Sequence, residues 1–217
     1  MKKSIYEIVL DSFAPERCYF CGKLSSPICE KCFKSYCGFG KILSKPNSVI
    51  SKEFYLSERS GELQKMVDEF KLQSKRQNCR PLVRLFVDFL LSKEVFLQNR
   101  DKIVLIPIPT LSSHIRERGF DHTEMLAKNL SDMLDVQKIQ IVQKIEKTSQ
   151  RGADFKTRQI QAKKSYKFIG EKLSQDKIYV ILDDIRTTGA TLNSIAEILQ
   201  KNGARRIWAF YLLQQEK

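Results

Sequence analysis

Nowhere in these 217 residues does an apolar run approach the roughly 20 positions needed to cross a bilayer, which removes helical membrane spans from consideration. No secretory leader is expected either: Lys2 and Lys3 stand at the start, but Glu7 and Asp11 interrupt what would be its apolar core. The expected compartment is therefore the cytoplasm, where thiols stay reduced, so the six cysteines are not expected to form disulfides. Acids are in short supply. Asp and Glu number 25 against 38 Lys and Arg, a formal net charge of +13 that suits a polyanionic partner such as nucleic acid, a nucleotide or an anionic membrane surface. Histidine is scarcer still, with only His114 and His122, and His122 reads as a polar helix-start residue rather than a general base. Internal repeats and low-complexity tracts are absent. What remains, 42% hydrophobic and 29% charged, describes a soluble globular protein of one ordinary domain and a small appendage.

The appendage spans residues 1–45. Ile5, Ile8, Val9 and Phe13 predict a short amphipathic helix ended by Pro15. Cys18-x-x-Cys21 follows, then a seven-residue spacer and Cys29-x-x-Cys32. Two such knuckles supply four thiolates for a tetrahedral zinc. So short a segment has too little apolar mass for its own core, so the metal supplies folding free energy. Cys37 and Cys79 have no paired partner and read as structural thiols, although Cys37 is close enough in sequence to compete for the metal. Tyr19, Phe20, Phe33, Tyr36 and Phe39 alternate with Lys23, Lys31, Lys34 and Lys41. That pattern fits a stacking platform for single-stranded nucleic acid, and it equally fits aromatics that pack the knuckle onto the main domain.

Residues 46–217 form the main domain. Val49–Leu56 predicts a strand; Leu63, Met66, Val67 and Phe70 mark a helix over Gly61–Leu72; Pro81 opens another through Leu82, Leu85, Phe86, Phe89 and Leu90. From residue 101 the chain reads as α/β with a parallel sheet. Ile103–Pro109 is a buried strand entering a stiff loop that holds Ser112, Ser113, Arg116, Arg118 and Gly119, and helical periodicity covers Phe120–Leu134. Ile139–Val142 predicts a third strand. Lys144–Lys167 carries eight Lys/Arg against Glu146 and Asp154, and Ile207–Leu213 makes a final strand.

The chemistry concentrates in 177–191. Ile178–Leu182 is an unbroken apolar run suited to a strand buried on both faces; Asp183 and Asp184 follow, then Thr187-Thr188-Gly189-Ala190-Thr191, then a helix through Leu192, Ile195, Ala196, Ile198 and Leu199. A helix start offers unpaired amides and partial positive charge, so a phosphate is well held there. Gly189 lets backbone approach the anion, and the threonine hydroxyls add donors. The carboxylates need donors of their own, such as a ribose diol or metal-bound water. Phosphate donors beside diol acceptors fit a sugar phosphate.

Tyr179–Thr191 resembles the phosphoribosyl-pyrophosphate (PRPP) signature of type I phosphoribosyltransferases throughout, with an unusual Arg186 at its free position. The four-cysteine knuckle, Phe70-Lys71, Pro107-Ile108-Pro109, Arg118-Gly119-Phe120, Gln150 with Arg158, and that signature together resemble the ComF family (ComFC, or GntX-like) over nearly the whole chain. The family continues Gly-Phe as Asn-Gln where this chain has Asp121-His122, and departs again at Ala153 and Gln161. The resemblance implies a type I phosphoribosyltransferase fold in which residues 46–100 form an acceptor-choosing hood, and 101–217 the core. Asp183 and Asp184 are then the catalytic acids at the ribose, the Thr187–Thr191 loop takes the 5′-phosphate, Arg116 and Arg118 face the diphosphate, and 144–167 is a basic lid that meets either diphosphate or DNA. It implies Mg²⁺ and PRPP alongside zinc, and a role in natural transformation. There the protein handles incoming single-stranded DNA with a ComFA-type helicase and a recombination mediator, near the inner membrane without spanning it. The alternative it implies is an active transferase that passes phosphoribosyl to an acceptor and releases pyrophosphate.

Overall fold

The computed structural model describes residues 17–36, 38–145 and 165–215. The expected N-terminal helix, Cys37, and most of the basic segment, with Gln150, Ala153, Arg158, Gln161, Lys163 and Lys164, lie outside these. Among the described residues no helix is long and apolar enough to cross a membrane.

A mostly parallel sheet organises the chain. β1 (Lys41–Ser44) and β2 (Lys52–Glu58) pair antiparallel at one edge, and the order then runs β2, β9 (Arg206–Gln214), β7 (Ile178–Leu182), β3 (Ile103–Pro107) and β4 (Gln137–Lys138), all parallel. Lys41–Ser44, at the end of the expected appendage, is thus an edge strand of the main sheet. The two-residue β8 (Ile185–Arg186) adds to β9 beyond the end of β7. β3 and β7 are buried at every position, as central strands covered on both faces must be.

Alternate residues feed two cores. Leu105, Val180, Phe210 and Phe54 face α2 (Gly61–Leu72), α3 (Cys79–Leu91) and α6 (His122–Leu134); Val104, Ile181, Ala209 and Tyr211 face α7 (Ala190–Lys201). α1 (Glu30–Tyr36) belongs to the knuckle, α4 (Glu94–Leu97) extends α3, and α5 (Ser112–Arg118) follows β3. Because these strands run parallel, the loops after β3 and β7 leave from one end of the sheet, and Ile108 N donates to Leu182 O at 3.0 Å where they start.

Several elements differ from expectation. The strand expected over Ile139–Val142 is split: Gln137–Lys138 pairs with β3, whereas β5 (Val142–Lys144) leaves the sheet to pair antiparallel with β6 (Tyr166–Phe168). The strand expected from Val49 begins at Lys52, because a turn closed by Lys45 N to Ser51 O takes up the intervening residues. The helix expected from Pro81 begins at Cys79; Pro81 still sits in its first turn, where no intrahelical acceptor needs its missing N–H. The loop expected through Arg118 folds as α5, ended by Gly119 in the left-handed region at φ +74°.

Phe210 is fully buried and its ring meets Phe54, Phe86 and Phe96 at centroid distances of 5.1, 5.5 and 6.2 Å. Phe210→Ala is expected to cost about 3–5 kcal/mol, read as a lower urea midpoint; a loss under about 1 kcal/mol would show that this aromatic centre is not what joins sheet and helices.

Candidate functional site

The turn expected to take a phosphate runs from strand to helix. β7 ends at Leu182, β8 carries the chain outward, and Gly189 at φ +77° turns it into α7. Among the described residues the amides of Thr187, Thr188 and Gly189 donate to no acceptor, while Ala190 N is met weakly by Thr188 Oγ1 at 3.3 Å. Thr187 and Thr188 are exposed, and Thr191 pairs with the Tyr166 hydroxyl of β6.

The two acids have different surroundings. Asp183 is half-buried at the mouth of the loop, and one carboxylate oxygen accepts from Asp184 N at 2.9 Å. Burial first, and then the neighbouring Asp184 charge, push its carboxyl well above the ordinary range. Lys144 faces it across the site. Asp184, 1% exposed, turns inward: Lys71 Nζ lies 2.8 Å from Oδ2, His122 Nε2 3.2 Å from the same oxygen, and Ile185 N donates to Oδ1 at 2.8 Å. Burial alone would raise this carboxyl. The His122 hydrogen bond and the Lys71 charge outweigh it and hold Asp184 well below the usual carboxylate range.

His122 and Lys71 are the functional neighbours that the sequence reading left without a role. Arg118 Nη1 stands 3.2 Å from His122 Nδ1, and a guanidinium can only donate. Nδ1 must accept, which leaves the ring proton on Nε2, facing Asp184. Asp121 in turn caps α6, accepting from Thr123 N and Glu124 N at 3.0 and 3.1 Å and from Thr110 Oγ1 at 3.0 Å, as an asparagine side chain also can. The sequence signal for Lys71 was its place beside Phe70 in the family pattern.

Arg118 is thus drawn toward His122, while Arg116 is exposed and lines a cavity of about 460 Å³ with Ser112, Gln143, Lys144 and Lys167. The two arginines do not converge on one point.

Cys18, Cys21, Cys29 and Cys32 gather with all four sulfurs within 4.8 Å of one another, and Cys21 Sγ to Cys29 Sγ is 3.7 Å. Metal–sulfur bonds of about 2.3 Å at tetrahedral angles need sulfurs about 3.8 Å apart, so the cluster could hold one metal ion and suits zinc. Burial pushes the Cys18 thiol up, but backbone N–H groups of Cys29, Cys21 and Phe20 overcome it and bring the group down to about 6. Cys79 stands apart, buried and pushed up to about 12.

Most knuckle aromatics pack inward. Phe33 is buried under Arg84, whose guanidinium lies 4.0 Å from the ring and pairs with Glu30 at 2.8 Å. The Tyr19 hydroxyl donates to Glu69 of α2 and accepts from Asn78 Nδ2. The Phe20 ring meets Tyr36 at a tilt of 33° with centroids 4.2 Å apart, and Phe39 is 62% exposed.

Since the folded Asp184 ionises below its ordinary value, its pairing stabilises the fold fully above the ordinary carboxylate range, and the stabilisation is lost as pH falls through the lowered value. Lys71→Ala is expected to cost about 3–5 kcal/mol near pH 7, with the gap from the parent narrowing in strong acid. Urea denaturation at the two pH values measures both, and an unchanging gap would contradict the pairing.

The family description "Phosphoribosyl transferase domain" matches residues 120–216. Competence protein F of Haemophilus influenzae is 28% identical over 147 residues, 65% of this chain and 63% of that one, just under two thirds of its length. Competence protein ComFC of Streptococcus pneumoniae is 28% identical over 61% of this chain and 56% of its own. DNA utilization protein YhgH of Salmonella typhimurium is 27% identical over 80% and 76%. The phosphoribosyltransferase match and these relatives, named for competence and DNA utilization, support a ComF-family protein with a phosphoribosyltransferase domain.

Proposed function

We propose that this is a competence protein that handles incoming single-stranded DNA in the cytoplasm and carries a pocket for PRPP with Mg²⁺. The observation that carries the pocket is the Asp183–Thr191 turn, where three loop amides stand free beside an acid at the mouth of the site. The amides and threonine hydroxyls take the 5′-phosphate, and Asp183 accepts from the ribose hydroxyls directly or through metal-bound water. Asp184, already paired with Lys71 and His122, holds the turn in place. Arg116, Lys144 and Lys167 form a basic wall for the diphosphate, and Arg118 reaches it by releasing His122. Zinc in the four-cysteine cluster holds the knuckle together, and Tyr19, Ile28 and Phe33 pack that knuckle onto the domain of 46–217.

The names of the relatives, two of competence proteins and one of a DNA utilization protein, support the DNA role. So do exposed Lys31 and Lys34 and the hollow of about 250 Å³ bordered by Phe20, Tyr36 and Phe39, which suits a stacked base. A ComFA-type helicase and a recombination mediator are the partners such a role calls for, close to the inner membrane. The second reading is a transferase: an acceptor nucleophile bonds to ribose C1 as the C1–O bond breaks, and pyrophosphate leaves with the electron pair. Asp183 beside the ribose favours it, since a carboxylate there stabilises the developing positive charge.

Calorimetric titration of PRPP, with and without Mg²⁺, tests the pocket. The parent protein is expected to bind and Asp183→Asn to weaken binding about tenfold or more; equal affinities would discredit the assignment. Single-stranded DNA retention is expected to fall steeply with added salt and to weaken in Lys31→Ala/Lys34→Ala, whereas salt-independent retention would remove the electrostatic basis of the DNA role.

A further inference from the structure

The PRPP signature leaves one position free, and arginine fills it here. β8 fixes the Arg186 backbone against β9 through its pairing with Gln214, and Gln215 N donates to Arg186 O at 2.8 Å. The side chain, 18% exposed, folds back over the phosphate loop: a Cβ on Gly189 would lie 3.0 Å from Nη2 and 3.2 Å from Cζ. Two edges of the guanidinium are tied down. Nε pairs with Glu53 Oε2 at 3.1 Å, and Nη1 donates to Gln214 Oε1 at 3.0 Å.

Those tethers do not use up its charge. Glu53 is 3% exposed and already pairs with Lys45 Nζ at 2.6 Å, while the Tyr211 hydroxyl donates to it at 2.8 Å. One carboxylate therefore meets two cations, and one positive charge is left over. Asp184 does not balance it, since Lys71 is its ion-pair partner. The surplus charge is held on a preorganised guanidinium packed against Gly189, in the loop whose Thr187, Thr188 and Gly189 amides are free among the described residues. Such a group gives up little freedom on binding, and its N–H bonds to an anionic oxygen are charge-assisted.

We infer that Arg186 is a phosphate ligand of this loop, its Nη2 joining the Thr187–Gly189 amides around a terminal sugar phosphate. The inference rests on the proposed pocket and adds a residue that the signature does not specify.

Calorimetry with ribose 5-phosphate, PRPP and inorganic pyrophosphate tests it on the full chain. Arg186→Gln keeps a polar side chain but removes the charge. It is expected to weaken ribose 5-phosphate and PRPP alike, about tenfold or more, and to leave pyrophosphate unchanged. Arg186→Lys keeps the charge but loses the fork that meets Glu53 and Gln214 together, and is expected to restore only part of the affinity. Arg186→Gln with parent-like affinity for ribose 5-phosphate overturns the inference and leaves the pocket standing. An equal loss for pyrophosphate overturns it as well, and a parent protein that binds neither sugar phosphate overturns pocket and inference together. If Arg186→Gln melts below the assay temperature, Gln214→Ala, which removes the Nη1 tether along with the Gln214 contacts to the Tyr211 hydroxyl and Gln215 O, takes its place: several-fold weaker ribose 5-phosphate binding supports the inference, and unchanged binding overturns it.

Discussion

A carboxylate taken out of water is expensive unless its charge is matched on site, and Asp184 meets that condition with groups from three places in the chain. Lys71 comes from the last turn of α2, the His122 N–H from the first turn of α6, and the Ile185 amide from the next residue along. No local stretch could satisfy this carboxylate alone. Its burial therefore fixes where α2 and α6 stand relative to the turn after β7, and with them the loop after β3. Arg118 is joined to the same group through His122, so the turn that leaves the central strand sits at the junction of the elements around the site.

The knuckle is joined to that junction along one helix. Tyr19, between the first two cysteines, bonds Glu69, and Lys71 stands two residues further on. Glu69 is also paired with Lys75 at 2.9 Å, and Asn78 closes the set by donating to Tyr19 and to Met66 O. With Phe33 held under Arg84 and Ile28 in the main core, the cysteine cluster is docked rather than tethered. Docking also explains the fate of the aromatics: a module with so little apolar mass must spend most of its rings on the neighbouring surface, and Phe39 is the ring left largely outside.

On the opposite side of the loop, Glu53 draws Lys45, Arg186 and Tyr211 together, and stacked Tyr55 and Tyr211 rings, 5.3 Å apart, wall the cluster. Burial and the Glu53 charge push the Tyr211 hydroxyl far above its ordinary range, so it stays a donor at any working pH. Two buried carboxylates, Asp184 and Glu53, thus flank the Thr187–Thr191 loop. One is matched by Lys71 and the His122 ring, the other carries a cation to spare.

Sequence alone determined whatever depends on short-range order. The strand, acid pair, threonine–glycine loop and helix of 178–201 lie within one stretch, as do the cysteine pairs and the period of Gly61–Leu72, so composition and spacing sufficed for them. Tertiary structure decided which acid faces out. Asp183 and Asp184 are adjacent and chemically identical, and only the arrival of Lys71 and His122 from distant positions distinguishes them. It also decided that the chain after Gln137–Lys138 leaves the sheet, that Arg116 and Arg118 part company, and that Arg186 lies back over Gly189. Each of these turns on a partner more than a few residues away, and a buried charge takes its direction from that partner rather than from its neighbours in sequence.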